Sequence, residues 1–298
     1  MKMMIIGGTG FFGKSILDSF HRGLLTPYAI DRIIIGARNI ESFQINFPEL
    51  IDHRITLIKM DISSIQELPD ADIVIHAAAS TDASDYIINP NGEKRNIEQS
   101  TTNYCQLAQR YHRASKIVYC SSGAVYGQQP EDLEKMDEDF QPQDVSNLIE
   151  YKRDYALGKR NAENEIIKLG SLGLGVSIAR CFAFHGKYLP RDQHFAYGNF
   201  IGAAERGEAI EVKANHRVVR SYMHADDLVD SLMKIALHSI SQCPIFNVGS
   251  DEAIEIRDLA YQIGQEYNVP VNIAPITSEK IDRYVPNTDK LKRLNNSF

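Results

Sequence analysis

The fold is decided by residues 3–20, MMIIGGTGFFGKSILDSF. An apolar run over residues 3–6 leads straight into a turn in which Gly7, Gly10 and Gly13 are spaced three apart. The residues after this turn carry apolar side chains at helical spacing. A strand, a glycine turn and a helix in this order predict the opening of a dinucleotide-binding unit.

Each glycine of the turn has a physical role. One glycine permits the tight turn, one lets the backbone approach a pyrophosphate, and one lets helix and strand pack closely. The free N–H groups and the dipole of the helix amino end then favour the anion. The alternative is a glycine-rich turn without a ligand. We expect the cofactor to be held by Gly7, Thr9, Gly10, Phe11, Phe12 and Gly13.

Composition excludes several classes of protein. The 298 residues have a net charge of -7, whereas a nucleic-acid-binding protein normally shows a basic face. No apolar run approaches the roughly 18 residues of a membrane span. The 4 cysteines have no C-x-x-C spacing, so neither a zinc site nor a disulfide framework is expected. The first strand leaves no room for a signal peptide, so we expect a cytoplasmic protein.

Strand and helix patterns alternate regularly over residues 1–180, which predicts an α/β fold with a parallel sheet and helices on both faces. After the first strand, strands are predicted at 32–39 (with its exit), 56–62, 72–79, 116–120 and 176–180, with helices at 96–113 and 151–169.

The alternation breaks after about residue 185. Short helices are predicted at 200–206, 229–237 and 255–267, with strands at 209–213 and 245–249 and a polar tail. We therefore expect a Rossmann-type, doubly wound domain over 1–184, to which 214–250 returns. A smaller, interleaved α/β lobe that binds the substrate would comprise 185–213 and 251–298.

The exit of the second strand bears on the choice of cofactor. An acidic residue there binds the ribose hydroxyls of NAD, whereas an arginine suits the 2'-phosphate of NADP. Gly36 and Ala37 occupy the acidic position and Arg38 follows. NADP(H) is therefore favoured, and NAD(H) stays possible.

Other strand exits are expected to contact the cofactor or the substrate. Asp61 and Ile62 end the third predicted strand, near the adenine. Small residues Ala77 and Ala78 let the backbone lie against the cofactor, and Thr81 begins a loop facing the substrate.

Tyr155 and Lys159 are four residues apart on a predicted helix and so share one face. A tyrosine has an ordinary pKa near 10, and a neighbouring ammonium brings it towards the working pH. Ser122, at the end of the fifth strand, would hydrogen-bond the substrate oxygen while Tyr155 exchanges its proton.

Together these segments resemble the extended short-chain dehydrogenase/reductase family, in its group of NAD(P)-dependent nucleotide-sugar epimerases, dehydratases and reductases. The likeness covers nearly the full chain. It implies that Ser122, Tyr155 and Lys159 form the catalytic triad. It also implies a homodimer, formed by pairing helices 96–113 and 152–169 of each subunit.

The resemblance also implies residues for the nucleotide sugar. Asn199 resembles the asparagine that binds the diphosphate, Arg220 the arginine that binds the nucleotide, and Arg283 the late arginine that closes on the diphosphate. The base is expected near Val212, where the contacts suit several bases. His224, in a cluster with two aspartates, is read as part of a structural turn, so no metal is expected.

Departures from the family pattern argue against a dehydratase. Dehydratases carry acidic residues just after the catalytic serine or threonine, where this chain has Gly123 and Ala124. Ala183 and His185 replace the family's asparagine and tyrosine in the sugar pocket. The missing acidic residues fit a reductase and a 4-epimerase alike. Because the strand exit at Gly36, Ala37 and Arg38 favours NADP(H), we expect an NADP(H)-dependent reductase acting on a nucleotide-linked 4-keto-6-deoxyhexose. A 4-epimerase that retains NAD is the alternative, and a non-catalytic NADP-binding sensor is a third reading.

Overall fold

Strands and helices alternate through the first two thirds of the chain, as a computed structural model shows for residues 1–79, 83–193 and 195–295. The strands are β1 (Lys2–Ile6), β2 (Arg32–Ala37), β3 (Ile55–Lys59), β4 (Ile73–His76), β5 (Lys116–Ser122), β6 (Gly175–Cys181), β7 (Phe184–His185), β8 (Ile210–Val212), β9 (Arg217–Arg220), β10 (Met223–His224), β11 (Ile245–Val248), β12 (Ile254–Glu255), β13 (Val271–Ile273) and β14 (Ile281–Tyr284). The helices are α1 (Phe11–His21), α2 (Ile40–Asn46), α3 (Ala83–Ile88), α4 (Pro90–Tyr111), α5 (Glu150–Ser171), α6 (Ala196–Glu205), α7 (Ala225–Leu237), α8 (Ile256–Tyr267) and α9 (Asp289–Asn295).

The centre of the fold is a sheet of seven parallel strands within the described residues, in the order β3-β2-β1-β4-β5-β6-β11. Strand order reverses direction between β1 and β4, as in doubly wound folds that bind a ligand at that crevice. The predicted parallel sheet is confirmed.

Helices cover both faces of this sheet. Apolar side chains of α1 and α7, such as Leu17 and Leu232, pack on one face. Side chains of α4 and α5, such as Tyr104 and Ile166, pack on the other. Because the strands are buried on both faces, they are apolar almost throughout. The carboxyl ends of β1, β4 and β5 are thereby held at one edge of the sheet.

Several elements begin earlier than the sequence pattern indicated, because capping residues set their starts. Helix α4 starts at residue 90, where the side chain of Asn89 accepts from the Gly92 N–H and Pro90 occupies the first position. Helix α7 starts at residue 225, where the ring of His224 accepts from the Asp226 N–H. The predicted fourth strand ends at His76, three residues short of expectation.

The last third of the chain builds smaller sheets around its own core. Strand β9 pairs with β12 and β14, while β8 pairs with β13. Apolar residues of α6 and α8, among them Phe200 and Leu259, pack against β8. The predicted polar tail therefore carries β14 and α9. The domain boundaries stay a prediction.

In the part of the chain that the structure describes, no helix combines the length and apolar character that crossing a membrane requires.

Candidate active site at the carboxyl edge of the sheet

The glycine turn after β1 contains positions at which a side chain would collide with neighbouring backbone atoms. Gly7 has φ +83°, and a Cβ on it would lie 2.7 Å from the Cα of Ala78. A Cβ on Gly13 would lie 1.9 Å from the carbonyl oxygen of Gly8, so α1 packs directly on the turn. Gly10 differs, because its Cβ would meet nothing closer than 3.6 Å. Of the three glycines, Gly10 alone could carry a Cβ without a steric clash, as expected of the position that faces a ligand.

The amino end of α1 has no competing anion of its own. Gly10 caps the helix without a side-chain hydrogen bond, and its first turn has no acidic residue. Thr9 is half-buried in the turn. The rings of Phe11 and Phe12 pack against the core, and the ring centres of Phe12 and Phe184 lie 5.3 Å apart. Contacts from these two residues to a cofactor would therefore come mainly from the backbone, and the turn fits a pyrophosphate.

The exit of β2 presents an exposed cation. Arg38 is exposed directly after Ala37, and its charge contributes to a lowered pKa of Asp61. The larger cause is Ser63, whose hydroxyl and N–H donate to the Asp61 carboxylate at 2.7 and 3.0 Å. Ile62 is buried in the core, so it would reach an adenine only through its backbone.

The exit of β4 lies directly against the glycine turn. Ala77 donates its N–H to Ile6, and both Ala77 and Ala78 are half-buried. His76 before them is fully buried, and burial lowers its pKa to about 3, with the charge of Lys159 adding to the effect. A neutral ring of this kind is structural. Thr81, predicted to face the substrate, lies outside the described residues.

Strand β5 and helix α5 bring the three predicted catalytic residues together. Ser122 ends β5 beside Tyr155, close enough for its side chain to act on the pKa of that phenol. Lys159 lies one turn further along α5, with its ammonium nitrogen 6.0 Å from the Tyr155 ring centre. That nitrogen donates to the carbonyl oxygen of Cys120 at 2.9 Å and to the hydroxyl of Tyr119 at 3.5 Å.

Burial shifts the pKa of both titratable groups in this triad. Burial raises the pKa of Tyr155 to about 12, while the hydrogen bond with Ser122 acts in the opposite direction. Burial lowers the pKa of Lys159 to about 8, against the opposing charges of Cys120, Cys181 and Glu163. At neutral pH the phenol is therefore protonated and the ammonium still carries its charge.

A second phenol reaches the same serine. Burial raises the pKa of Tyr284, at the end of β14, while the neighbouring Ser122 acts to lower it. The centre of the Tyr284 ring lies 4.6 Å from that of Phe182. A Cβ on Gly123 would lie 2.6 Å from the Tyr284 hydroxyl oxygen and 2.8 Å from the Phe182 ring. Sequence reasoning missed Tyr284, since its only sequence signal is adjacency to Arg283.

The predicted substrate residues do not all share one place. A cavity of about 800 Å³ is lined by residues that include Arg283, Arg217, His185, Tyr197 and Tyr222. Arg283 directly precedes Tyr284 on β14.

Three further predicted substrate residues do not line this cavity. Arg220 is held by Asp282, to whose carboxylate it donates at 3.0 Å. Asn199 is exposed on α6. Val212 is buried in the core of the last third and does not line the cavity, so its side chain is placed for packing.

Titratable side chains elsewhere do not form a metal site. Among the described residues, no group of three or more His, Cys, Asp and Glu side chains is arranged to bind an ion. His224 caps α7, and Asp226 pairs with Arg22. All 4 cysteines are buried free thiols.

Comparisons with known proteins match nearly the whole chain. UDP-glucuronic acid decarboxylase 5 of Arabidopsis thaliana is 27% identical over 289 residues, which cover 95% of this chain and 79% of the relative. The dTDP-glucose 4,6-dehydratase DesIV of Streptomyces venezuelae, solved with NAD bound, superposes with a TM-score of 0.79 at 19% identity, covering 98% of this chain and 90% of that one. The UDP-glucose 4-epimerase of Thermotoga maritima, solved with UDP-glucose, superposes with a TM-score of 0.77 at 17% identity. The match covers 99% of this chain and 93% of that one.

The similarity to solved structures shows the fold, whereas membership of a family is shown by the sequence. The model of the NAD dependent epimerase/dehydratase family matches residues 3–249, which include the glycine turn, Ser122, Tyr155 and Lys159. The resemblance inferred from the sequence is thereby confirmed: the chain belongs to the NAD-dependent epimerase/dehydratase family.

Proposed function

We propose that this chain transfers a hydride between a nicotinamide cofactor and an oxygen-bearing carbon of a nucleotide-linked sugar. The observation that carries the proposal is that Ser122, at the end of β5, adjoins the buried phenol of Tyr155, one helical turn from the buried ammonium of Lys159. A serine hydroxyl, a phenol and an ammonium in this arrangement can hold a sugar oxygen and exchange its proton. The relatives that act on nucleotide sugars support the substrate class.

The glycine turn fits the cofactor, because Gly10 keeps open the space that a side chain would fill. When bound, the nicotinamide supplies or accepts the hydride. For reduction, Tyr155 donates its proton to the carbonyl oxygen, while Ser122 hydrogen-bonds that oxygen. A phenol with a pKa of about 12 is protonated near neutral pH, as a proton donor must be. Lys159 then stabilises the tyrosinate that forms.

We infer further that the reaction is reduction of a nucleotide-linked 4-keto-6-deoxyhexose by NADPH. Arg38 is exposed at the exit of β2, where it can pair with a 2'-phosphate, and no acidic residue stands at Gly36 or Ala37. Beside Ser122, the space above Gly123 is filled by Tyr284 and Phe182, which leaves no room there for the carboxylate of a dehydratase. The cation at Arg38 thus favours NADPH, and the filled space above Gly123 argues against a dehydratase.

A second candidate retains NAD and returns the hydride to the same sugar, as in a 4-epimerase or a decarboxylase. Two observations favour it: relatives of this chain are nucleotide-sugar decarboxylases, and structural neighbours were solved with NAD bound. Oxidation first would require Tyr155 to lose its proton, against its raised pKa. A sensor without catalysis is least favoured, because it would not need the Ser122, Tyr155 and Lys159 arrangement.

Three broader expectations belong to the same proposal. The dinucleotide domain comprises 1–184 with the return of 214–250, and the substrate lobe comprises 185–213 and 251–298. The protein works in the cytoplasm as a homodimer that pairs α4 and α5 of each subunit. Light scattering tests the dimer, since a monomeric mass would contradict it.

The first experiment follows the ultraviolet absorbance of NADPH, with NADH in parallel, after addition of dTDP-4-keto-6-deoxyglucose. Stoichiometric loss of NADPH would support the reductase, and the ratio of NADPH to NADH rates tests the role given to Arg38. If neither cofactor is consumed, the reductase proposal fails. Nuclear magnetic resonance of UDP-glucuronic acid and UDP-hexoses would then detect a decarboxylated or epimerised product, as the second candidate requires.

A further inference from the structure

One buried carboxylate joins the strand that ends at Ser122 to the helix that carries Tyr155 and Lys159. Glu163 lies on α5 one turn beyond Lys159 and is 5% exposed. Its Oε1 accepts a hydrogen bond of 2.6 Å from the hydroxyl of Ser121, the residue before Ser122. This hydrogen bond therefore links β5 to α5 at a point one residue from Ser122 and one helical turn from Lys159.

Arg180 completes the arrangement from the neighbouring strand. Its Nε and Nη2 donate to the two carboxylate oxygens of Glu163 at 3.0 and 2.8 Å, and it is the register partner of Ser121. Its guanidinium also lies 4.7 Å from the ring centre of Tyr126 and donates to the carbonyl oxygen of Glu138. A bidentate pair packed on several sides in this way has little freedom to move.

We propose that Glu163 is a positioning residue for the hydride transfer proposed above: its carboxylate holds the strand bearing Ser122 in register with the helix bearing Tyr155 and Lys159. The inference rests on the proposed function for its catalytic consequence. The mechanical link itself rests only on the contacts of Glu163 with Ser121 and Arg180.

Stability alone does not explain this carboxylate. A buried ion pair can often be replaced by apolar side chains of similar volume without loss of stability. Apolar replacements would not bind the hydroxyl of Ser121. By contrast, a displacement of about 1 Å between reacting groups can lower a rate about a hundredfold. The bond from Ser121 to Glu163 is thus the contact whose loss should affect turnover more than folding.

Ser121→Ala removes this bond and leaves the ion pair intact. We expect kcat to fall about ten- to hundredfold, while the KM and the affinity for the cofactor stay within about threefold. Ser177→Ala is the matched control, since Ser177 is a buried serine of the adjacent strand whose hydroxyl has no partner in the described part of the chain. Its kcat should equal that of the wild type.

A second readout needs no substrate. The pKa of Tyr155 can be measured from tyrosinate absorbance, as the difference between each protein and its Tyr155→Phe version, with oxidised cofactor present. Tyr155 faces Lys159 on its own helix, Tyr119 on β5, Cys181 on β6 and Tyr284 on β14. These groups are unchanged in Ser121→Ala. Only the hydrogen bond from Ser122, which lowers the pKa of Tyr155, should weaken, so that pKa should rise.

Glu163→Leu combined with Arg180→Met separates positioning from stability. We expect this double variant to unfold at nearly the wild-type temperature and yet to keep the low kcat of Ser121→Ala. A raised pKa of Tyr155 would support the positioning role even if the substrate class proposed above is wrong. An unchanged pKa, or wild-type kcat in Ser121→Ala, would overturn it.

Discussion

Gly123 and Tyr284 occupy adjoining space beside Ser122, so that a Cβ on Gly123 would lie 2.6 Å from the hydroxyl oxygen of Tyr284. Gly123→Ala should therefore displace the Tyr284 side chain and lower the free energy of unfolding by about 1–3 kcal/mol. Chemical denaturation measures this loss. Adding Tyr284→Phe removes the clashing oxygen and should recover part of it. Unchanged stability in Gly123→Ala would show that the phenol can move aside.

Two glycines of the turn should respond differently to alanine. Gly13→Ala places a Cβ 1.9 Å from the carbonyl of Gly8, so the protein should lose stability by several kcal/mol or fail to fold. Gly10→Ala meets nothing closer than 3.6 Å and should fold normally. Its Cβ would instead occupy the space of a pyrophosphate, so the affinity for NADPH should fall at least about tenfold. Calorimetric titration with NADPH measures this affinity. A wild-type Kd in Gly10→Ala would contradict the role given to Gly10.

Tyr155→Phe should abolish turnover without loss of cofactor binding. The phenylalanine keeps the ring but has no proton to exchange, and general acid–base catalysis contributes about 10²–10⁴-fold to a rate. Tyr151→Phe, one turn earlier on α5, is the control and should retain activity. Rates are compared at saturating substrate. Residual activity above about a tenth of the wild-type rate would exclude Tyr155 as the proton donor.

Arg38 should distinguish the two cofactors. Arg38→Ala removes a cation that can pair with the 2'-phosphate, and charge-assisted hydrogen bonds contribute about 1.5–3 kcal/mol. The Kd for NADPH should therefore rise about ten- to hundredfold, while that for NADH changes little. Arg32→Ala, exposed at the opposite end of β2, controls for loss of charge. Equal effects on both cofactors would refute a 2'-phosphate contact.

Asp251 should make stability depend on pH in the acidic range. Burial would raise its pKa, but hydrogen bonds from Lys292 and Lys135 outweigh this and lower it to about 2. Because the folded-state pKa lies below the unfolded one, the stabilisation is complete above about pH 4 and is lost as the pH falls towards 2.

Asp251→Asn should accordingly cost about 2 kcal/mol at neutral pH and little near pH 2. Urea denaturation at several pH values measures the difference. Glu131→Gln, at an exposed position of the same loop as Lys135, is the control. A difference that does not shrink at low pH would show that packing, and not charge, stabilises this contact.

The parts of the fold that could be predicted are those that local sequence determines. The turn from Gly7 to Gly13 joins a strand to a helix within a few residues, so its constraint is visible in the sequence. Tyr155 and Lys159 share a helix, and their relative position follows from helical geometry alone. The alternation of strands and helices similarly predicts the sheet.

What could not be predicted depends on contacts between distant segments. Tyr284 meets Ser122, and Glu163 meets Arg180, only after the sheet has formed. No spacing rule relates a residue on β14 to one on β5. Val212 is expected near the base, and the burial of its side chain on β8 depends on packing against α6 and α8, which the sequence pattern does not show.

The meeting of Tyr284 with Ser122 has a consequence for biosynthesis. The two residues are more than half the chain apart, and strand β14 is fastened by the N–H of Met136, which donates to Val285. During translation the amino-terminal strands can pair early, as domains tend to fold from the end that emerges first. The second phenol cannot reach the serine until residue 284 has been made. A nascent chain would therefore acquire its cofactor turn long before the complete surroundings of Ser122.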